Sequence, residues 1–191
     1  MTDYFECRFS GFGGQGIMLA GLILAEAAGV YEEKNVVQTR SYGPEARGSA
    51  CRSEVIISQS PIDYLEVTRP DFLLALTQEA FDKYLPEVKE NGVIVVDPDY
   101  VQKRETNRQV RVIPVPVTAI AREKVGNPVT ANVVALGVMG AVTNVVSRDS
   151  LAAAVQGTAP RGTETINLEA LAAGYEAVEG LTKSSGFQGG N

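Results

Sequence analysis

The chain contains no histidine and no tryptophan, and only two cysteines in 191 residues. Histidine is the side chain that ordinarily exchanges a proton near neutral pH, so Ser-His-Asp and Cys-His mechanisms are closed to these residues. Cys7 and Cys51 lie far apart, which leaves no C-x-x-C, no zinc ribbon and no cysteine quartet for an iron–sulfur cluster. Both cysteines read as small apolar residues in strands, unpaired in a reducing compartment. Basic charge is scarce as well. With Lys+Arg 17 against Asp+Glu 23, a net charge of -6 and a pI near 4.8, the chain lacks the cationic surface that a phosphate backbone requires, so nucleic acid is not an expected partner. Long apolar runs are absent too. The stretch 17–28 is shorter than the ~20 residues of a membrane span and carries Glu26, while Asp3 and Glu6 occupy an amino-terminus where a secretion signal would be basic. A soluble, cytoplasmic protein is expected, with no membrane partner.

What the chain does have is glycine in an informative place. Gly11-Phe12-Gly13-Gly14-Gln15-Gly16 follows the alternating run Phe5-Cys7-Phe9 and opens onto the helical stretch 17–28. The order is strand, glycine turn, helix. Glycines at G-x-G-x-x-G spacing let the chain turn tightly, bring bare N–H groups close to a phosphate and seat the helix against the strand. The same glycines serve equally in α/β domains that bind no dinucleotide, where they only permit the turn and the packing. Gly13 and Gly16 are both expected to be required by backbone geometry before any ligand is considered. An NAD site also needs an acid at the end of the second strand, about 20 residues beyond the glycines. Here Val36-Val37 continues into Gln38-Thr39-Arg40 without one. Arg40 could meet a 2′- or 3′-phosphate, as NADP or coenzyme A would present, or stand as an ordinary solvated arginine.

Strands are predicted at 4–10, 35–39, 50–58, 72–76, 93–97 and 110–115 from β-branched and alternating apolar content. Helices are predicted at 78–85 with Thr77 as N-cap, at 118–125, at 131–145 as a nearly all-apolar buried helix, after Ser147, and from Asn167 to about Thr182. Alternating strands and helices predict an α/β fold, a Rossmann-like doubly wound and mostly parallel sheet in a single domain, residues 1–183, with C-terminal helices. Residues 184–191, rich in glycine and serine, have the composition of a flexible tail. The segment Arg40-Ser41-Tyr42-Gly43-Pro44-Glu45-Ala46-Arg47-Gly48-Ser49 is too rich in glycine, proline and charge for either regular element. As the loop after the second strand it is expected beside the glycine turn. It suits three roles: a rigid turn with Glu45 paired to Arg40 or Arg47, a ligand contact, or a docking surface.

The glycine turn, the run Ser41-Tyr42-Gly43-Pro44-Glu45-Ala46-Arg47-Gly48, the strand Ser53-Glu54-Val55-Ile56-Ile57-Ser58, and the stretches Pro70-Asp71-Phe72-Leu73-Leu74-Ala75-Leu76 and Ala131-Asn132-Val133-Val134-Ala135-Leu136-Gly137 together resemble the gamma subunits of 2-oxoacid:ferredoxin oxidoreductases. Within that family the loop and Ile62-Asp63-Tyr64 look most like the 2-oxoglutarate enzyme, with the pyruvate and branched-chain enzymes less close. The resemblance implies a complex that converts a 2-oxoacid and coenzyme A to acyl-CoA and carbon dioxide while ferredoxin is reduced. It places thiamine diphosphate, Mg2+ and iron–sulfur clusters on partner subunits, alpha and beta, with a ferredoxin-like delta subunit as a further component. The candidate binding residues are then Gly11, Gly13, Gly14, Gln15, Gly16, Arg40 and Arg47, facing coenzyme A; no residue is assigned to catalysis or to a metal. Two other classes stay open: a free-standing NAD(P)-dependent oxidoreductase, and a nucleotide-sensing module that regulates a partner.

Overall fold

The computed structural model describes residues 4–41 and 51–184. Strand β1 (Tyr4–Gly11) leads through the glycine turn to helix α1 (Ile17–Gly29), and strands β2 (Asn35–Ser41) and β3 (Cys51–Ser58) follow. After β4 (Phe72–Ala75), α2 (Gln78–Tyr84), β5 (Val93–Val96) and β6 (Arg111–Pro114), the chain becomes helical: α3 (Val117–Ile120), α4 (Ala131–Thr143), α5 (Arg148–Thr158) and α6 (Glu164–Ser184). The six strands form one sheet in the order β2-β3-β1-β4-β5-β6. β4, β5 and β6 run parallel to β1, and β3 alone runs against its neighbours β1 and β2. The mostly parallel α/β sheet expected from the sequence is present. The second strand, however, does not sit beside the first, because β3 folds back between them.

Period-two alternation sorts the side chains between two cores. Cys7 and Phe9 of β1, Val55 and Ile57 of β3, and Phe72 and Leu74 of β4 meet α1, α4, α5 and α6. Leu73 and Ala75 of β4, with Ile94 and Val96 of β5, meet Phe81 and Tyr84 of α2 on the other face. Each fully buried Leu, Ile or Phe contributes about 1.5–3 kcal/mol. Beneath β1 and β3 the second face is charged but still buried: Glu6, Arg8 and Glu54 are each under 5% exposed. Segment 59–71 crosses this face. Tyr64 donates to Glu6 Oε1 at 2.9 Å, the Arg69 N–H donates to Glu6 Oε2 at 3.2 Å, and Arg8 Nη2 donates to the Val67 carbonyl at 2.6 Å. Burial and the bond to Glu6 push the Tyr64 phenol up.

Several predicted boundaries move for local reasons. Thr77 and Ser147 do cap their helices, accepting from the Ala80 and Ser150 N–H groups. The predicted helix 118–125 begins at Val117 and after Ile120 loosens into a π turn, Ala121–Val125, which Gly126 ends at φ 80°. The helix expected to reach 145 stops at Thr143, because Asn144 takes a left-handed φ of 50°. The last helix starts at Glu164, three residues before Asn167; Asn167 instead donates from its amide to the Thr163 carbonyl at 2.9 Å. Arg40 and Ser41, assigned to the loop from sequence, extend β2 by pairing with Ser53 and Arg52. The rest of that loop, with Arg47, and the tail from 185 lie outside the described residues.

Candidate ligand and partner site

β1 continues into α1 on one side of itself and has β4 on the other, so the carboxyl ends of β1 and β4 form the switch point at which open α/β sheets bind ligands. The glycine turn occupies that point, and its glycines divide by role. A Cβ on Gly11 would strike the Gln15 side chain and approach Ile17 Cδ1 to 2.7 Å. Gly14 and Gly16 hold φ of 93° and 72°, which L side chains rarely adopt. A Cβ on Gly16 would also lie 2.6 Å from Asn132 Cγ. Gly13 differs: its φ is not positive and nothing lies within 4 Å of its Cβ position. The expectation that Gly13 is required by geometry is therefore corrected. Open backbone at that glycine suits the approach of something from outside the chain.

Gln15 closes the turn. Its Oε1 accepts from the Phe12 N–H at 2.7 Å and its Nε2 points to the Leu76 carbonyl at 3.5 Å, so one side chain spans the ends of β1 and β4. Buried Asn132, in the first turn of α4, donates to the Gly16 carbonyl at 3.3 Å and ties the start of α4 to the start of α1. Neither Gly16 nor Thr130 supplies a side-chain cap, and neither helix carries an acid in its first turn. The α1 end thus opens without a side-chain acceptor and favours negative charge, whereas α4 continues the turn Pro128–Thr130, where Asn127 Oδ1 accepts the Val129 N–H at 3.1 Å and the Pro128 carbonyl accepts the Ala131 N–H. Between them opens a crevice of 130 Å³ lined by Gly14, Gln15, Leu76 and Ala131, with Tyr100 and Val129 at its mouth. A broader concavity of 540 Å³, lined by Asn91, Gln109 and Arg111 among others, sits at the amino ends of β5 and β6, away from the switch point.

Arg40 is placed less directly. Its strand is separated from β1 by β3, about 10 Å in strand spacings, and Arg40 pairs level with Ser53 and hence with Phe9. Gln38 on the same side of β2 donates to Ser53 Oγ at 3.2 Å and points to the Met18 carbonyl in the first turn of α1. The exposed Arg40 guanidinium donates to Gln38 Oε1 at 3.1 Å, so it lies on the α1 face. The structure thus brings Gly11, Gly13, Gly14, Gln15 and Gly16 together and sets Arg40 on their flank. Sequence reasoning passed over Tyr100 and Val129 at the mouth, and it noted Asn132 only within a longer stretch. Asn132 carries a usable signal, since a polar residue opening an otherwise apolar helix invites a cap or a tether.

Among the described residues the crevice lining offers a phenol, an amide, a threonine hydroxyl and backbone, and no carboxylate or amine. Cys7 is buried, and burial with the nearby Asp71 charge pushes its thiol up, away from the reactive thiolate. Cys51 pairs with Gly11, four residues along β1 from Cys7, a separation of about 13 Å. The two sulfurs cannot share a metal or a disulfide. Among the described residues no group of three or more Cys, Asp or Glu is placed to hold a metal ion, and no helix is long and apolar enough to cross a membrane.

The fold and its crevice define a single-sheet, mostly parallel α/β domain with a glycine turn at the switch point of its strands. Residues 6–177 match the family model for pyruvate ferredoxin/flavodoxin oxidoreductase. The chain belongs to that family. It is 49% identical to the 2-oxoglutarate synthase subunit KorC of Methanocaldococcus jannaschii over 177 residues, 92% of this chain and 95% of that one. The keto/oxoacid ferredoxin oxidoreductase gamma subunit of Geobacter sulfurreducens superimposes with a TM-score of 0.83 at 45% identity, covering 92% of this chain and 99% of that one. The same fold occurs within a longer chain of the 2-oxoglutarate:ferredoxin oxidoreductase of Magnetococcus marinus, a structure with 2-oxoglutarate, coenzyme A and succinyl-CoA bound. There the TM-score is 0.80 at 22% identity, covering all of this chain and 34% of that one.

Substitutions in the turn should separate geometry from binding. Gly16→Val forces a β-branched side chain into positive φ against Asn132 and should cost roughly 1–3 kcal/mol, whereas Gly13→Ala should move stability by less than about 0.5 kcal/mol. Thermal unfolding of the two variants checks this. A drop for Gly13→Ala equal to that for Gly16→Val would mean that Gly13 is held by contacts the geometry does not show.

Proposed function

We propose that this chain is the gamma subunit of a 2-oxoglutarate:ferredoxin oxidoreductase. The assembled enzyme converts 2-oxoglutarate, coenzyme A and oxidised ferredoxin to succinyl-CoA, carbon dioxide and reduced ferredoxin. The observation that carries the reading is the end-to-end similarity to 2-oxoglutarate synthase subunits, which reaches 49% identity over 92% of this chain. The site agrees in kind: an uncapped helix end and an open glycine turn can receive phosphates. Thiamine diphosphate, Mg2+ and the iron–sulfur clusters are then held by partner alpha and beta subunits, with a ferredoxin-like delta subunit in the assembly, and the complex works in the cytoplasm. This chain supplies structure and contacts for coenzyme A through Gly11, Gly13, Gly14, Gln15 and Gly16, with Arg40 on their flank and Arg47 as a further contact. A crevice of 130 Å³ is small beside the ~300–1,000 Å³ of ordinary cofactor pockets, which weighs against a free-standing dinucleotide enzyme.

Reconstitution tests the proposal. The purified chain should reduce no ferredoxin or viologen from 2-oxoglutarate and coenzyme A, and activity should appear when alpha and beta chains are added. In the complex, Arg40→Ala and Arg47→Ala should each raise the KM for coenzyme A several-fold and leave that for 2-oxoglutarate unchanged. Equal rises in both constants would remove the coenzyme A role, and activity of the chain alone would remove the subunit assignment.

A further inference from the structure

The two edges of the sheet differ. β6 has four residues, ends on Pro114 and is followed by Pro116, and a short strand with proline is an ordinary means of discouraging further pairing. β2 has seven residues, pairs with β3 residue for residue without a bulge, and contains no proline and no lysine. Among the described residues it has no neighbour on its outer side. Such an edge presents backbone donors and acceptors as a template for another strand.

The helix beside this edge lacks a water-facing side. α1 carries one charged residue, Glu26, and that carboxylate accepts the Thr158 hydroxyl of α5 at 2.8 Å. A Cβ on Gly29 would lie 3.5 Å from Val36 Cγ2, and one on Gly21 would lie 3.1 Å from Gln38 Nε2, so α1 leans over β2. Met18, Leu22 and Ala25 share the side of Gly29 at helical spacing; all three are half-buried, and Leu19 next to Met18 is exposed. A surface helix ordinarily turns polar residues outward, whereas one that is apolar all round is covered.

We infer that a second copy of this chain covers α1 and the β2 edge, the two β2 strands pairing antiparallel about Gln38 so that two sheets join into one. The strand itself selects a copy over a foreign chain, because it is complementary to its own reverse. Paired about Gln38, Asn35 faces Ser41, Val36 faces Arg40, Val37 faces Thr39 and Gln38 faces its counterpart. No like charges meet, and Val37 with Thr39 makes a favourable β-branched pair. Side-chain faces agree as well: Val36, Gln38 and Arg40 lie on the α1 side, whereas Thr39 bonds Glu54 on the other side, which Val37 shares. Alternation lets the register move only two residues at a time, and any such move shortens the overlap. A two-fold axis through Gln38 sets α1 of both chains on one face and brings each apolar side toward the join, in keeping with the apolar character of homodimer contacts. The patch is smaller than the roughly 20–30 residues a side of a standard interface, so a dissociation constant on the order of micromolar is expected. Pairing of two copies needs neither coenzyme A nor another subunit, and its failure would leave the gamma-subunit reading standing.

Sedimentation of the full chain provides the test, and the unaltered chain should dimerise. Gln38→Glu and Gln38→Lys each set two like charges face to face across the two-fold axis, so each should raise the dissociation constant about tenfold or more. An equimolar mixture of the two variants sets opposite charges together and should dimerise within about threefold of the unaltered affinity. That recovery, with the circular dichroism of each variant, separates lost pairing from lost folding. An unaltered chain that stays monomeric up to about 0.1 mM overturns the inference. A dimer indifferent to both substitutions also overturns it, since the copies then join elsewhere, and so does a mixture that associates no better than its folded components. If the unaltered chain is monomeric and the two substitutions instead weaken its binding to alpha and beta subunits, the edge belongs to another subunit and the inference is equally overturned.

Discussion

Arg8→Ala should remove about 3–5 kcal/mol of folding stability, the usual consequence of leaving a buried charge without its partner. Arg8 is 2% exposed in the middle of β1 and opposes Glu54 of β3 in register. Its Nε donates to Glu54 Oε1 at 2.6 Å, its Nη2 to the Val67 carbonyl at 2.6 Å and its Nη1 to Glu87, and its guanidinium lies 4.6 Å from the centre of the Tyr84 ring. Alanine would leave the buried Glu54 only its longer contacts among those described, Arg52 at 3.7 Å and the Thr39 hydroxyl at 3.3 Å. The Glu87 contact adds little, since that side chain is 42% exposed and solvent screens it. Arg8→Met combined with Glu54→Leu should lose less than either single change, because no charge is left buried alone. Urea denaturation of the set checks both statements. An unchanged midpoint for Arg8→Ala would show that segment 59–71 is not held through this residue.

The same residues show where sequence reading stops. Phe5-Cys7-Phe9 announces a strand by period two, and Cys7 and Phe9 do line the larger core. The pattern equally suggests that Glu6 and Arg8 face water, yet both are buried, because segment 59–71 carries no periodic signal and covers them by side-chain bonds formed across 58–63 residues of sequence. Strand identity is local; what lies over a strand is not. The antiparallel return of β3 is invisible for a related reason, since an apolar strand reads the same in either direction and only pairing settles it. At the site, the glycines are legible because positive φ admits almost nothing else at Gly14 and Gly16. Tyr100 and Val129 are not, because an exposed tyrosine and an exposed valine gain meaning only when folding sets them on either side of the same crevice.

Gly174→Ala should be among the most destabilising single methyl additions in the chain, at roughly 3 kcal/mol, and Gly137→Ala should match it. α4 and α6 cross at these two glycines. A Cβ on Gly137 would be driven into the Leu171 carbonyl oxygen and lie 3.0 Å from Gly174 Cα; a Cβ on Gly174 would meet the Val134 carbonyl and lie 2.9 Å from Gly137 Cα. Overpacking ordinarily costs about 1–3 kcal/mol because neighbouring side chains can turn aside. Here the obstacles are backbone atoms of two helices, which move only if the helices part. Parting them would expose Val134, Val138 and Leu171 of the main core. The helix-propensity gain of alanine over glycine, about 0.5–1 kcal/mol, offsets only a fraction of that. Gly180, farther along α6, isolates that propensity effect: nothing lies within 4 Å of its Cβ position, so Gly180→Ala should stabilise by about 0.4–1 kcal/mol. Melting temperatures of the three alanine variants should therefore move in opposite directions within one helix pair. If Gly174→Ala melted as high as Gly180→Ala, α4 and α6 would not be in backbone contact, and the tether from Asn132 at the start of α4 to the glycine turn would rest on a looser helix than the geometry describes.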